Sequence, residues 1–121
     1  MGLTVYIDGG AGDDPKYGFF VKENGRARCE RAAGLTNMEA EYHALKLALE
    51  WLRGEGAQDE EIVVYSDSKT MVSQVNHEYG INSDELRGLA MDIWPIIGEF
   101  SSLSLRWIRR RDNPAGKMLG S

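Results

Sequence analysis

Residues 3–10 read Leu-Thr-Val-Tyr-Ile-Asp-Gly-Gly, a run rich in β-branched and aromatic residues that closes on an aspartate. This composition favours a β-strand, and the glycine pair ends it. Residues 62–65 read Ile-Val-Val-Tyr, an apolar run typical of a strand covered on both faces. The second run also closes on an aspartate, within the Ser-Asp-Ser of residues 66–68. The two runs therefore predict two strands that each present an acid at the carboxyl end.

Between these runs the sequence predicts a hairpin and a long helix. Residues 18–22 and 28–33 have strand character, and an Asn-Gly turn at residues 24–25 joins them. The helix begins at Thr36, with Glu39 three residues on as its capping-box partner. Its apolar residues recur at helical spacing: Met38, Tyr42, Leu45, Leu49 and Leu52.

The rest of the chain predicts two further helices and a last strand. One helix runs from Ser68 to about Tyr79, and the next starts after Asn82. Pro95 should kink or break this third helix, because proline cannot donate the backbone hydrogen bond of a helix interior. Residues 103–108 form the last strand.

This succession of three strands, a helix, a strand, two helices and a strand predicts an α/β fold. The first three strands form an antiparallel meander, and the crossover rule places the last two parallel to the first. The expected result is a mixed five-stranded sheet, three strands antiparallel and two parallel, with helices packed on it. The length of 121 residues suits one domain over residues 1–121, and the segment from residue 112 stays unassigned.

Composition is that of an ordinary globular chain. The net charge of −5 disfavours tight nonspecific binding of nucleic acid. Cys29 is the single cysteine, so no internal disulfide can form, and we expect a reducing, cytoplasmic compartment. Because Cys29 lies in an alternating stretch, we interpret it as a small buried hydrophobe. There is no apolar run of about 18 residues and no charged-then-apolar leader, so we expect neither a membrane span nor a signal peptide.

Asp8 and Asp67 are the two acids that close the strands. If those strands are parallel neighbours, their carboxyl ends lie side by side, at the edge where open α/β sheets hold ligands. Either aspartate alone has a structural alternative as a turn or helix-capping residue. As a pair on adjacent strand ends they favour a functional site.

Glu41 is the acid that fits least well. It follows Met38 by three residues and precedes Leu45 by four, so it shares the apolar stripe of the helix. A glutamate there costs stability unless a cation or hydrogen-bond donors meet it. The alternative is that it reaches solvent from the edge of the stripe.

Three converging carboxylates would repel one another and raise their own pKa values, and a divalent cation reverses that penalty. Oxygen ligands without nitrogen or sulfur favour Mg²⁺ or Mn²⁺ over zinc, and His43 and His77 are isolated from any metal-binding pattern. Such a cluster can support phosphodiester hydrolysis by two metal ions.

Four segments resemble the signatures of type 1 ribonuclease H, most closely its compact archaeal-like branch. They are Tyr-Ile-Asp-Gly-Gly at 6–10, Thr-Asn-Met-Glu-Ala-Glu-Tyr at 36–42, Tyr-Ser-Asp-Ser at 65–68 and Gln-Val-Asn at 74–76. The resemblance covers essentially the whole chain, in order. It implies a ribonuclease H-like fold and an endoribonuclease that hydrolyses the RNA strand of RNA–DNA hybrids with Mg²⁺ or Mn²⁺. Nothing in the sequence indicates an obligate protein partner, so we expect a monomer.

The resemblance also assigns residues to roles. It implies that Asp8, Glu41 and Asp67 bind metal and are catalytic, and that Gly10, Asn37 and Gln74 lie along the hybrid. Lys69 stands where the family often has glutamine, which suggests a phosphate contact instead. The arginines near the carboxyl terminus are either a solvated edge or a phosphate-facing patch that includes Arg109; they are Arg106, Arg109, Arg110 and Arg111.

The chain departs from the family where a fourth carboxylate is usual. The family pattern Asn-x-x-Ala-Asp-x-Leu meets Asn-Pro-Ala-Gly-Lys-Met-Leu at residues 113–119, and neither Gly116 nor Lys117 is acidic. Three explanations stay open: the amide oxygen of Asn113 reaches a metal or its water as a catalytic substitute, Asp112 swings in, or the site is impaired. The last would make the chain a weakened or inactive hybrid-binding module.

Overall fold

A computed structural model describes residues 2–10 and 13–120. The strands are β1 (Gly2–Gly10), β2 (Lys16–Val21), β3 (Ala27–Arg31), β4 (Glu61–Ser66) and β5 (Ser102–Trp107). The helices are α1 (Asn37–Gly54), α2 (Lys69–Val75), α3 (Asp84–Ile97) and α4 (Pro114–Met118), with 3₁₀ turns at Ala57–Asp59 and Arg110–Asp112. The predicted order of strands and helices is confirmed, and α4 falls in the segment that the sequence left unassigned.

The strands form one mixed sheet in the order β3-β2-β1-β4-β5. β1 pairs antiparallel with β2, and β2 with β3, whereas β4 runs parallel to both β1 and β5. The predicted fold class is therefore confirmed. In the parallel register Ile7 lies opposite Ser66, so the carboxyl ends of β1 and β4 meet at one edge of the sheet.

Helix α1 packs on β1, β2 and α3 and buries the stripe predicted for it. Its start is fixed by the predicted capping box. The Thr36 hydroxyl accepts the Glu39 N–H at 3.1 Å, and the Glu39 carboxylate accepts the Thr36 N–H at 2.8 Å. Among the described residues, no helix is long and apolar enough to cross a lipid bilayer.

Gly9 sets how closely α1 approaches the end of β1. A Cβ at this position would lie 2.5 Å from the carbonyl carbon and oxygen of Ala40 and 2.9 Å from the nitrogen of Glu41. Those atoms are backbone and cannot rotate away. Only glycine therefore lets the first turns of α1 lie directly over the end of β1.

Cys29 is exposed, so its interpretation as a buried hydrophobe was wrong. It lies in β3, which pairs with β2 alone at the edge of the sheet. Every residue of β3 is exposed, because no helix covers the strand. The alternating sequence of β3 therefore does not correspond to a buried face.

The helix limits also differ from the prediction at two places. α2 ends at Val75 rather than near Tyr79, and His77 adopts a left-handed φ of 65°, which no α-helix accommodates. α3 starts after Ser83, one residue later than predicted, and the Ser83 hydroxyl caps it by accepting the Leu86 N–H.

Pro95 does not break α3, which continues to Ile97. Proline removes one helical hydrogen bond, the one to the carbonyl of Met91 four residues earlier. Both Pro95 and Met91 lie on the exposed side of the helix, where water can replace that bond. The expected break is therefore absent.

Replacing Gly9 with alanine tests the close approach of α1. We expect the free energy of unfolding to fall by about 2 kcal/mol or more in chemical denaturation, because the added methyl overlaps backbone atoms. Gly10→Ala is the matched control, since a Cβ at Gly10 meets no atom within 4 Å. The control should stay within about 0.5 kcal/mol of the original chain. Equal stabilities for the two variants would contradict the packing constraint.

Candidate active site

Three carboxylates meet where β1 and β4 end. Asp8 lies near the end of β1, Glu41 in the first turns of α1, and Asp67 directly after β4. One ligand oxygen from each lies within 4.8 Å of the other two. Asp8 is 9% exposed and Glu41 6%, and Asp67 is half-buried. The predicted convergence of these acids is confirmed.

Glu41 is held by donors on both sides. The Gly9 N–H donates to its Oε1 at 2.5 Å, and the Ser66 hydroxyl donates to its Oε2 at 3.4 Å. Its carboxyl group also lies close enough to that of Asp8 for each to affect the pKa of the other. The alternative that Glu41 reaches solvent is therefore wrong.

Ser66 was not among the predicted site residues, although the sequence carries a signal for it. In β4 the buried residues alternate, and Ser66 follows Ile62 and Val64 on the buried face. A serine in such a row has a hydroxyl that must find a partner within the protein. Here the partner is Glu41.

Burial, followed by the charges of Asp8 and Asp67, raises the pKa of Glu41 to about 9. Burial, and then the charge of Asp67, also raises the pKa of Asp8, while the nearby charge of Arg110 opposes this rise. Without a cation, the cluster therefore retains a proton on Glu41 at neutral pH. The donor set is three carboxylates close together, which fits a hard divalent cation.

Asn113 lies against this cluster but does not offer its oxygen to it. Its side-chain amide nitrogen donates to the Ile7 carbonyl at 2.9 Å and to Asp67 Oδ2 at 3.0 Å. Its Oδ1 accepts the Ala115 N–H at 3.1 Å and caps α4. The expectation that this oxygen reaches a metal does not match the geometry, because the oxygen is engaged in the cap.

The other two explanations for the missing fourth acid concern the same segment. Asp112 is exposed in the 3₁₀ turn and is not part of the acidic cluster found among residues 2–10 and 13–120. Gly116 is buried in α4, and Lys117 is exposed one helical turn after Asn113. The cluster of the described residues thus consists of three acids.

Gly10 and Lys69 lie near the acids, and Arg109 lies next to Arg110 in the chain. Gly10 lines a cleft of about 450 Å³ together with Asp8. Lys69 begins α2 two residues after Asp67, with its ammonium 5.7 Å from the centre of the Trp107 ring. Arg109 is exposed at the start of the 3₁₀ turn, but the arginine whose charge acts on Asp8 is Arg110. The sequence predicted a basic cluster in this segment but did not indicate which of the two arginines acts on Asp8.

The other two predicted substrate residues begin α1 and lie on α2. Asn37 is exposed as the first residue of α1. Gln74 accepts a hydrogen bond from the Tyr42 hydroxyl at 2.6 Å and donates to the Gly80 carbonyl at 3.3 Å. It lines a separate groove of about 380 Å³ with the exposed ring of Tyr79. Their contacts with substrate stay predictions.

The raised pKa of Glu41 makes stability depend on pH when metal is absent. Its carboxyl group keeps a proton up to about pH 9 in the folded chain but releases it near pH 4.5 when unfolded. The folded state binds more protons in this window, so the free energy of unfolding should fall as pH rises from 4.5 to about 9. Urea denaturation in EDTA at several pH values measures the slope.

The variant Glu41→Gln should remove most of this slope, and the raised pKa of Asp8 should leave a smaller one of the same sign. Glu50→Gln is the matched control, because Glu50 is an exposed glutamate of the same helix. It should keep the slope of the original chain. A slope that Glu41→Gln leaves unchanged would show that Glu41 is not protonated in the folded state.

Comparison with known proteins gives the family. The family model described as reverse transcriptase-like matches residues 20–120. The Pol polyprotein of equine infectious anemia virus (isolate 1369) is 30% identical over 96 residues, which is 79% of this chain. The chain spans only 8% of the length of that polyprotein.

Solved structures with the same fold include two ribonucleases H1. The enzyme from the halophilic archaeon Halobacterium salinarum NRC-1 superposes with a TM-score of 0.86 at 22% identity, over 98% of this chain and 94% of that one. LC11-RNase H1 in complex with RNA/DNA hybrid superposes with a TM-score of 0.86 at 27% identity, over 97% of this chain and 92% of that one. The chain therefore belongs to the reverse transcriptase-like family, and within it to type 1 ribonuclease H, as its motifs predicted.

Proposed function

We propose that this chain is an endoribonuclease that hydrolyses the RNA strand of RNA–DNA hybrids with the help of divalent cations. The observation that carries the proposal is the convergence of Asp8, Glu41 and Asp67 at the sheet edge of a ribonuclease H fold. LC11-RNase H1, which is 27% identical over nearly the whole chain, is described in complex with RNA/DNA hybrid. The shared fold and family support the same substrate class here.

The three carboxylates would hold the cations, with Mg²⁺ or Mn²⁺ as the expected ions because all donors are oxygens. Bound there, such cations activate water and stabilise the leaving oxygen in phosphodiester hydrolysis. The protein supplies the geometry: Gly9 and Ser66 hold Glu41 from two sides, and the paired strand ends carry the two aspartates. A cation would also favour release of the proton that Glu41 holds in its absence.

The predicted substrate residues extend the site along the hybrid. Lys69 and the arginines around the 3₁₀ turn would offset the net negative charge of the chain where phosphates approach, and Arg110 already acts on Asp8. Gly10 leaves the cleft beside Asp8 open to the backbone of a nucleotide strand. Asn37 and Gln74 have amide groups that can contact 2′-hydroxyls, which distinguish RNA from DNA.

A hybrid-binding module without turnover is the weaker alternative. It would explain the lack of a fourth acid, but it gives no reason to bury Glu41 beside two aspartates at a cost in stability. We therefore favour the enzyme. The proposal includes a monomer in the cytoplasm, and the single cysteine, Cys29, is the support for a reducing compartment.

Cleavage of a labelled RNA paired with DNA tests the function. In Mg²⁺ or Mn²⁺ the RNA of the hybrid should be cut, while single-stranded RNA and duplex DNA stay intact. Asp8→Asn and Asp67→Asn should each lower the rate by more than about 100-fold, because loss of a direct ligand exceeds the effect of an outer partner. Asp92→Asn, at an exposed acid of α3, is the control and should cleave normally. Equal cutting of all nucleic acids would rule the proposal out.

Lys117→Asp tests the missing fourth acid. Position 117 lies in α4, one helical turn after its cap Asn113, which contacts Asp67. We expect Mn²⁺ to bind roughly tenfold more tightly, a gain of about 1.4 kcal/mol, in a calorimetric titration. Lys117→Ala is the control that removes the lysine without adding an acid. Equal affinity in the two variants would show that an acid at this position does not reach the site.

A further inference from the structure

Asn113 is fully buried at 0% exposure, and its side chain uses all of its hydrogen-bonding groups. The amide nitrogen donates two bonds, to the Ile7 carbonyl and to Asp67, and the amide oxygen accepts the Ala115 N–H. A carbonyl and an ionised carboxylate can only accept, whereas a backbone N–H can only donate. The neighbours therefore fix which way the amide faces, since the reverse orientation would break all three bonds.

The two acceptors of Asn113 belong to the two strand ends of the acidic cluster. Ile7 directly precedes Asp8, and Asp67 follows the last residue of β4. The parallel pairing of β1 with β4 ends at Ile7 and Ser66, one residue short of both aspartates. Asn113 thus links the ends of β1 and β4 by hydrogen bonds, at the point where the backbone pairing of the two strands stops.

We propose that Asn113 is a positioning residue, whose amide hydrogens set the place of the Asp67 carboxylate relative to β1 and so prepare the acids for a divalent cation. This inference rests on the metal-binding cluster of the proposed function. Asn113 donates to Oδ2 of Asp67, which would leave the other carboxylate oxygen available to a cation. In this role Asn113 donates to a ligand and is not a ligand itself, unlike the substitute that the sequence suggested.

Asp67 is also held from a second direction, which makes the role of Asn113 specific to the carboxylate. The Trp107 indole N–H donates to the backbone carbonyl of Asp67 at 3.3 Å. This bond places the backbone but leaves the side chain free to turn. Among the hydrogen bonds of the described residues, the one from Asn113 is the bond that orients the Asp67 side chain.

The test is Asn113→Ser, with metal binding measured in the absence of nucleic acid. Serine is a good helix cap, so the start of α4 keeps an acceptor, but its hydroxyl is too short to reach both Ile7 and Asp67. We expect calorimetric dissociation constants for Mn²⁺ and Mg²⁺ to rise about 10- to 100-fold, the range for loss of a partner behind a metal ligand. Hybrid cleavage by the variant should recover when the metal concentration is raised.

Asn76→Ser is the matched control. Asn76 also donates its amide to a backbone carbonyl, that of Leu105 at 2.9 Å, and within residues 2–10 and 13–120 its side chain has no hydrogen bond to a carboxylate. This variant should lower the melting temperature and leave both dissociation constants within about twofold of the original. Unchanged dissociation constants in a folded Asn113→Ser variant would overturn the proposal, and so would an equal rise in Asn76→Ser.

A second measurement covers the case in which Asn113→Ser fails to fold. In the unaltered chain, the side-chain amide resonances of Asn113 should shift as Mg²⁺ is added, while those of Asn76 serve as the reference in the same spectrum. Resonances of Asn113 that move no more than those of Asn76 would overturn the proposal. A wild-type chain that binds metal without cutting hybrid would reject the nuclease function and leave this inference standing.

Discussion

The approach of helix α1 to the end of strand β1 is the contact on which the rest of the site depends. Gly9 has no side chain, so the backbone of Ala40 and Glu41 can lie against it. The same contact brings the Gly9 N–H to the Glu41 carboxylate and places that carboxylate beside Asp8. The close packing at Gly9 therefore buries the Glu41 carboxylate next to two other acids. This burial is the electrostatic problem of the site, because it disfavours the ionised form of Glu41.

That electrostatic problem connects stability with function. Burying Glu41 among acids disfavours its ionised form, and its pKa of about 9 expresses the cost in the absence of a cation. A divalent cation would offset this cost, because it favours the ionised form of the three acids. The hydrogen bonds from Ser66 and Asn113 hold two of the acids in place before any cation arrives.

The charge at this edge of the sheet differs from the net charge of the chain. The overall charge is −5, yet Lys69 follows Asp67 by two residues and the charge of Arg110 acts on Asp8. Any ligand that approaches this edge interacts with the local charges rather than with the net charge of the chain, because charges beyond about 8–10 Å are screened at physiological salt. Because the fourth acid of the usual family pattern is missing, the negative charge at this edge is smaller than that pattern would give.

Local patterns in the sequence were enough to predict the strand and helix order, the start of α1 and the three acids, because periodicity, capping and strand ends depend on residues a few positions apart. The exposure of Cys29 and the carboxyl end of α2 were not predicted. The first depends on what covers an edge strand, and the second on the left-handed backbone at His77. Asn113 is the clearest case. The sequence marked it as an unusual position, but its hydrogen bonds go to Ile7, 106 positions away, and to Asp67, 46 positions away, which no local pattern encodes.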